Sequence, residues 1–291
     1  MIVSVNGLPG KMAQLVARQI VKGDPHRHYP NRLFPHALTG PEIEQTVFDM
    51  SVLCPEFQSM SEFKIQLYPP DKRGDYLDQL LIYSHDCMGY VAAVDFTHPE
   101  AVMDNVRFYC ENDIPFILGT TGVDYAEVEK LVQQSNTCAV AAPNFAIPIV
   151  LMQSAIEFLA GHCLNSLRGY RLEVVESHQA GKADTSGTAK VLVESFEALG
   201  ARFVEGDSIH MVREPEVQRV MGIPEEHLGG HGWHTYTLIN EQEGVKLEFT
   251  HNVNGRNVYV EGVMEALEML ESALEGGHSG EYLTMHDAIG I

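Results

Sequence analysis

The chain reads as an α/β protein: a doubly wound parallel sheet, followed by a second α+β domain with a mixed or antiparallel sheet. Three features carry that expectation. Ile2-Val3-Ser4-Val5 is a short buried-strand pattern that runs straight into a glycine turn and a helical repeat. Near-continuous apolar runs then alternate with helical segments as far as Ala142, as expected of parallel strands buried on both faces. From Ile147 the texture changes to one long helix and, further on, strands whose apolar and polar residues alternate. At 291 residues the chain exceeds one typical domain, which fits two.

The first turn, Asn6-Gly7-Leu8-Pro9-Gly10-Lys11-Met12, opens a helix in which Met12, Leu15, Val16 and Ile20 recur at helical spacing. Strand, glycine turn and helix form the setting of a dinucleotide-binding loop. Gly7 permits the tight turn, Gly10 a close backbone approach to pyrophosphate, and the helix start supplies N–H donors. The turn departs from G-x-G-x-x-G at Pro9 and Ala13, and ligand-free glycine turns also join strands to helices. A second strand is expected over 32–38. Sites that prefer NAD often place an acid at its end to bind the ribose 2′-hydroxyl. Here the end reads Pro35-His36-Ala37-Leu38-Thr39-Gly40. That favours a 2′-phosphate, hence NADPH over NADH, with Thr39 and either Arg32 or Lys11 as partners.

Further strands are expected at 63–68, 91–96, 115–118 and 138–142, with helices at 76–83, 99–109 and 124–133. Three of these strands end in Phe96-Thr97, Gly119-Thr120-Thr121-Gly122 and Pro143-Asn144-Phe145. Such polar or glycine-rich turns lie at the carboxyl ends, where open parallel sheets bind ligands. The loosest stretch is Gly23–Pro41, with its prolines and three histidines.

In the second part, Ile149, Met152, Ile156 and Leu159 mark a long helix. A strand over Tyr170–Val175 leads into Glu176-Ser177-His178-Gln179-Ala180-Gly181-Lys182-Ala183-Asp184-Thr185-Ser186-Gly187-Thr188, and a helix follows over Ala189–Leu199. Unpaired N–H groups at that helix start suit a carboxylate or phosphate. His178 can exchange a proton near neutral pH, and Lys182 can hold an anion or donate a proton. An ordinary capped helix with a surface lysine has the same spacing, so spacing alone leaves both readings open. Later, Gly229-Gly230-His231-Gly232-Trp233-His234 precedes a strand over Thr235–Ile239. Val245, Leu247 and Phe249 alternate with Lys246, Glu248 and Thr250, as in an antiparallel sheet with one covered face. A last helix spans Val263–Leu274. His231 and His234 have no third ligand at a suitable spacing, so no metal is expected.

Composition narrows the function. A hydrophobic content of 45% supports a packed core, and no apolar run approaches a membrane span. A formal charge of −21 argues against nucleic acid and anionic membranes as partners. An anionic ligand then requires locally gathered cations and helix starts. Residue 1 enters a strand directly, which predicts a cytoplasmic protein, or a plastid-stroma protein from which a transit peptide has been removed. Cys54, Cys87, Cys110, Cys138 and Cys163 are scattered and never in C-x-x-C spacing, which predicts reduced thiols and no sulfur-held metal.

With these residues in view, the chain resembles dihydrodipicolinate reductase. The matching pieces are Gly7-Leu8-Pro9-Gly10-Lys11-Met12, Asp95-Phe96-Thr97, Gly119-Thr120-Thr121-Gly122, Glu176-Ser177-His178 with Lys182, Ser186-Gly187-Thr188-Ala189, and His251-Asn252 with Gly255-Arg256. Ser177-His178-Gln179-Ala180-Gly181-Lys182 and Pro224-Glu225-Glu226-His227-Leu228 look like the plant-type branch, while Pro143-Asn144-Phe145 is closer to the bacterial form. The resemblance implies a Rossmann-like nucleotide domain at 1–146 and 257–291, and a substrate-binding and oligomerisation domain at 147–256. It implies NAD(P)H-dependent reduction of 4-hydroxy-tetrahydrodipicolinate to tetrahydrodipicolinate, in a homodimer or homotetramer acting on a small dicarboxylate. By the same resemblance, Gly7, Pro9, Gly10, Lys11, Met12, Phe96, Thr97, Gly119, Thr120, Thr121, Pro143, Asn144, Phe145 and Arg256 join Thr39 in holding the cofactor. His178 and Lys182 are the catalytic pair. Substrate falls to His178, Gln179, Lys182, Ser186, Gly187 and Thr188. Two other readings compete. A semialdehyde dehydrogenase needs a nucleophilic thiol at a helix start, which neither Cys138 nor Cys163 offers. A catalytically inactive NADP-binding regulator needs Gly7 and Gly10 but has no use for His178, Lys182 and Ser-Gly-Thr together.

Overall fold

A computed structural model describes residues 1–23, 32–54, 63–87, 90–183, 185–203 and 209–291, with backbone alone at 86–87. Residues 24–31 of Gly23–Pro41, and Asp184 of the Glu176–Thr188 stretch, lie outside the described residues. The chain divides into two compact units, Met1–Phe145 with Tyr259–Ile291, and Ala146–Val258.

The first unit begins with β1 (Ile2–Asn6) and α1 (Lys11–Lys22), then β2 (Arg32–Leu33), β3 (His36–Leu38), β4 (Val47–Asp49) and β5 (Lys64–Tyr68). It continues with α2 (Arg73–Cys87), β6 (Val91–Asp95), α3 (Pro99–Glu111), β7 (Phe116–Leu118), α4 (Tyr125–Gln133) and β8 (Ala139–Ala141). From the C-terminal end it takes most of α8 (Asn257–Glu275), then β13 (Tyr282–Leu283) and α9 (Met285–Ala288). Six strands form one parallel sheet in the order β13-β8-β7-β6-β1-β2. β1, β6, β7 and β8 are buried throughout, which explains their near-uniform apolar sequences. The strand order reverses beside β1, with β2 on one flank and β6 on the other. The crevice at their carboxyl ends is therefore the switch point where such sheets take ligands. Helical residues Tyr76, Val102, Val106, Tyr109, Val128 and Val132 pack on one face against Ala93, Phe116 and Leu118.

The expected second strand differs in one respect. Phe34 still donates its N–H to the Val3 carbonyl in the main sheet, but Pro35 interrupts the run and the chain leaves that sheet. His36–Leu38 instead pairs with β5, and β4 completes a separate three-stranded sheet in the order β3-β5-β4. The strand expected at 63–68 thus belongs to this small sheet.

The second unit holds α5 (Ile147–His162), β9 (Arg171–His178), α6 (Gly187–Ala198), β10 (His210–Val212), α7 (Pro215–Val220), β11 (His231–Asn240) and β12 (Val245–Asn254). Its sheet is mixed, in the order β10-β9-β11-β12, with β10 parallel to β9 and the other pairs antiparallel. Ile156, Leu172, Val174, Leu192, Phe196, Tyr236 and Leu238 form its core. β12 is an edge strand, so Leu247 stays 38% exposed despite its place in the alternation.

Candidate active site

β1 ends at Asn6, and the chain must turn at once to enter α1. Gly7 does so at φ +101°, and a Cβ on it would lie 2.5 Å from the Phe96 carbonyl oxygen, so both conformation and space demand glycine. Gly10 caps α1 without a side-chain bond, and the first turn holds Lys11 and no acid. An uncapped helix start beside a cation suits a pyrophosphate. The Phe96 ring lies over Gly119, where a Cβ would collide with it, and meets Phe145 edge-on at 6.4 Å between centroids. Thr120 Oγ1 donates to the Thr97 carbonyl at 3.0 Å, and the Tyr125 hydroxyl lies 2.9 Å from the carbonyls of Thr120 and Ala142. Gly7–Met12, Phe96-Thr97, Gly119-Thr120-Thr121 and Pro143-Asn144-Phe145 therefore gather along one sheet edge.

Two expected partners of the ribose phosphate do not fit. Thr39 is buried and its hydroxyl donates to the Leu8 carbonyl at 2.6 Å, so its proton is committed to holding the glycine turn. Arg32 pairs in register with Ile2, at the amino end of β1, about 16 Å of strand away from Gly7. Lys11 remains. Arg256 belongs to the second unit, its guanidinium against Gly230.

A buried polar network supports this edge from below. The Asp95 carboxylate accepts from Thr97 N (2.8 Å), Thr97 Oγ1 (2.6 Å), Asn105 Nδ2 (3.0 Å) and the Tyr109 hydroxyl (2.7 Å). Asn6 Nδ2 donates to the Tyr109 oxygen at 2.7 Å, and Asn6 Oδ1 accepts the Leu38 N–H at 2.7 Å. Burial and the Asp95 charge push the Tyr109 phenol well above its ordinary value, so it stays a donor.

In the second unit, β9 ends in Glu176-Ser177-His178. Its register with β11 sets Glu176 opposite His234 and His178 opposite Gly232, while β12 sets His251 opposite His234. The alternation of strands thus puts Glu176, His178, His234 and His251 on one face. A Cβ on Gly232 would lie 3.0 Å from His178 Cε1, so the glycine leaves room for the ring. Glu176 is fully buried. Its Oε1 accepts from Arg213 Nη2 at 2.5 Å and its Oε2 from the Ser186 N–H at 2.9 Å. Arg213 Nε also donates to the Lys182 carbonyl at 2.8 Å, and Gln218 Nε2 to the His178 carbonyl at 2.7 Å. Lys182, Ser186 and the start of α6 are thereby tied back to the end of β9, with Gln179 and Thr188 half-buried beside them and Gly187 exposed.

His178 Nδ1 donates to the His231 carbonyl at 3.0 Å, and His178 Nε2 lies 3.2 Å from His234 Nε2. Burial pulls the His178 imidazole below its ordinary value, helped by the Lys182 and Arg213 charges and opposed by Glu176. Burial drives His234 down to about 2 and His251 to about 4. Glu176, His178 and His234 present donor atoms within 4.8 Å of one another, a set that shares only His234 with the His231–His234 pair weighed from spacing. Both Glu176 oxygens are already engaged, one by a guanidinium cation and one by a backbone N–H. Sequence reasoning missed Arg213 and Gln218 at this site, and quoted Glu176 and His251 in its motifs without giving them a role. Neither discounted thiol qualifies as a nucleophile: Cys138 is buried, donates to the His278 carbonyl at 3.3 Å and is pushed up by burial, and Cys163 sits past the C-terminal end of α5.

Comparison with known proteins shows the family. Family models for the dihydrodipicolinate reductase N-terminus and C-terminus match residues 76–145 and 148–289. A rice protein named probable 4-hydroxy-tetrahydrodipicolinate reductase 2, chloroplastic, is 34% identical over 98% of this chain and 82% of its own length. An Arabidopsis thaliana 4-hydroxy-tetrahydrodipicolinate reductase 2 is 39% identical over 67% of this chain and 56% of its own. A Methanocaldococcus jannaschii reductase of the same name is 33% identical over 63% of this chain and 67% of its own. A dipicolinate-bound dihydrodipicolinate reductase from Paenisporosarcina superposes with a TM-score of 0.62 over 99% of both chains at 20% identity, which speaks for the fold. The chain belongs to the dihydrodipicolinate reductase family, on its plant-type side.

Proposed function

We propose that this family member reduces 4-hydroxy-tetrahydrodipicolinate to tetrahydrodipicolinate with NAD(P)H, a step of lysine biosynthesis through diaminopimelate. The observation that carries the reading is His178, fixed at the end of a buried strand and tied through Glu176 and Arg213 to Lys182 and the start of α6. A reduced nicotinamide, when bound, supplies the hydride. The chain's own residues hold the dicarboxylate and supply the proton. The α6 start at Ser186-Gly187-Thr188 and the Lys182 ammonium favour the two carboxylates, the locally gathered groups that an anionic ligand requires in an acidic protein. A bound dianion favours the imidazolium form of His178, against the burial that keeps it neutral. Loss of the 4-hydroxyl as water gives the cyclic imine that accepts the hydride, and the proton then leaves His178 Nε2 for the ring carbon made electron-rich by hydride addition.

NADPH is the proposed reductant, because Pro35–Gly40 holds no acid and Lys11 stands at the α1 start. Calorimetry with both nucleotides tests this, and a strong NADH preference contradicts it. The chloroplastic names of the plant relatives make the plastid stroma the proposed compartment, with the cytoplasm the alternative. Among the described residues no helix is long and apolar enough to cross a membrane. The reaction itself is tested by generating substrate in situ from pyruvate and aspartate semialdehyde and following nicotinamide absorbance. Oxidation that depends on both precursors is expected. No oxidation of either cofactor contradicts the reading.

A further inference from the structure

The geometry around His178 determines more than its position. A carbonyl oxygen only accepts, so the 3.0 Å contact with the His231 carbonyl places a proton on His178 Nδ1. In the neutral ring, Nε2 is then a bare lone pair. The 3.2 Å approach of His234 Nε2 is a hydrogen bond only if His234 carries its proton there. The opposite tautomer of His234 would set two lone pairs against each other and leave a buried Nδ1–H with no acceptor, since His234 Nδ1 has no partner in the structure. His234 is 4% exposed and Gly232 leaves the neighbouring space to the His178 ring, so water has little access to take over the contact.

We propose that His234 is a positioning residue for His178: its Nε2–H donates to His178 Nε2, fixing the tautomer and ring plane of the nitrogen that carries the catalytic proton. This rests on the reading of His178 as the proton-transfer group. The groups that face His178 are Glu176 on its own strand, Lys182 in the following loop, Arg213 after β10, His231 and His234 on β11, and His251 on β12. Of these, His234 holds the reacting nitrogen. His231 holds the other end of the ring and is itself anchored, donating from Nδ1 to the His227 carbonyl at 3.0 Å and accepting from the Ser177 hydroxyl at 2.9 Å. When His178 takes up a proton at Nε2, the His234 N–H loses its acceptor and the two N–H groups repel, so the contact parts for that proton to reach the substrate. The bond therefore favours the neutral ring until substrate charge outweighs it.

The test is two-bond ¹H–¹⁵N correlation of the histidine rings in the labelled full-length chain at neutral pH, with signals assigned through His178→Gln and His234→Gln. The expected result is His178 protonated at Nδ1 and His234 at Nε2. Protonation of His234 at Nδ1, or of neutral His178 at Nε2, overturns the proposal whether or not the chain turns over the proposed substrate. Kinetics supply the second arm. A glutamine amide can still donate, so His234→Gln keeps kcat within about threefold, whereas His234→Leu lowers it about tenfold with an unchanged KM for the nucleotide. Equal losses in the two variants at equal thermal midpoints indicate packing alone and overturn the role.

Discussion

In the first unit, the buried Asp95 carboxylate receives four donors, and Tyr109, Asn6 and Leu38 continue the chain of bonds. In the second, His234 Nδ1, both His251 nitrogens and the Tyr236 hydroxyl are buried without a partner. Among the described residues, Arg18 Nε aside, these are the unsatisfied buried side-chain polar atoms. The first cluster is a finished scaffold that sets the strand ends and the loops they carry. The second leaves polar atoms unmatched in a place where folding alone would favour apolar groups. Full satisfaction accompanies a structural role here, and its lack accompanies the chemical role proposed for His178.

The contrast is open to direct attack, beginning with the largest effect. His178→Ala and Lys182→Ala should each lower turnover by about 10²–10⁴-fold while nucleotide affinity, read by calorimetry, stays nearly intact. Arg213→Met removes the partner of a fully buried carboxylate, so denaturant unfolding should show a loss of about 3–5 kcal/mol. Acid should act chiefly on the second unit. His234 and His251 are held neutral, down to about 2 and about 4, below the ~6.5 of an unfolded imidazole. The unfolded chain thus binds more protons below ~6.5. Stability is complete above that pH and declines as pH falls, by about 1.4 kcal/mol per unit for each ring until its folded value is reached. Urea titrations at successive pH values check this, and His251→Asn should flatten the decline. The smallest effect is Tyr109→Phe, which removes one donor to Asp95 and the acceptor for Asn6 and should cost about 1–3 kcal/mol of stability.

What was legible in the sequence was local. The Gly7–Met12 turn, the apolar strands and the loops at Phe96, Gly119 and Pro143 each declare themselves within a few residues, and the parallel sheet follows from their alternation. One strand was expected over 32–38, and the departure of His36–Leu38 to pair with β5 depends on a partner some thirty residues away. Thr39 was misjudged for a similar reason: the Leu8 carbonyl that takes its proton lies in another loop. The second site was half legible. His178 and Lys182 share one stretch, whereas Arg213, Gln218, His234 and His251 reach it only through the β10-β9-β11-β12 register. One signal was available. Glu176 and His178 alternate along one strand as His234 and Tyr236 do along another, and pairing those strands brings the histidines together.

The central claim is that chemistry belongs to the histidine cluster and support to the Asp95 cluster. It is tested most directly by running the coupled reductase assay on the unaltered chain, His178→Ala and Tyr109→Phe side by side, with unfolding midpoints measured on the same samples. The expected result is turnover lost in His178→Ala at a near-normal midpoint, and turnover within about threefold of normal in Tyr109→Phe at a lowered midpoint. Full activity in His178→Ala, or abolished activity in a stably folded Tyr109→Phe, would contradict it.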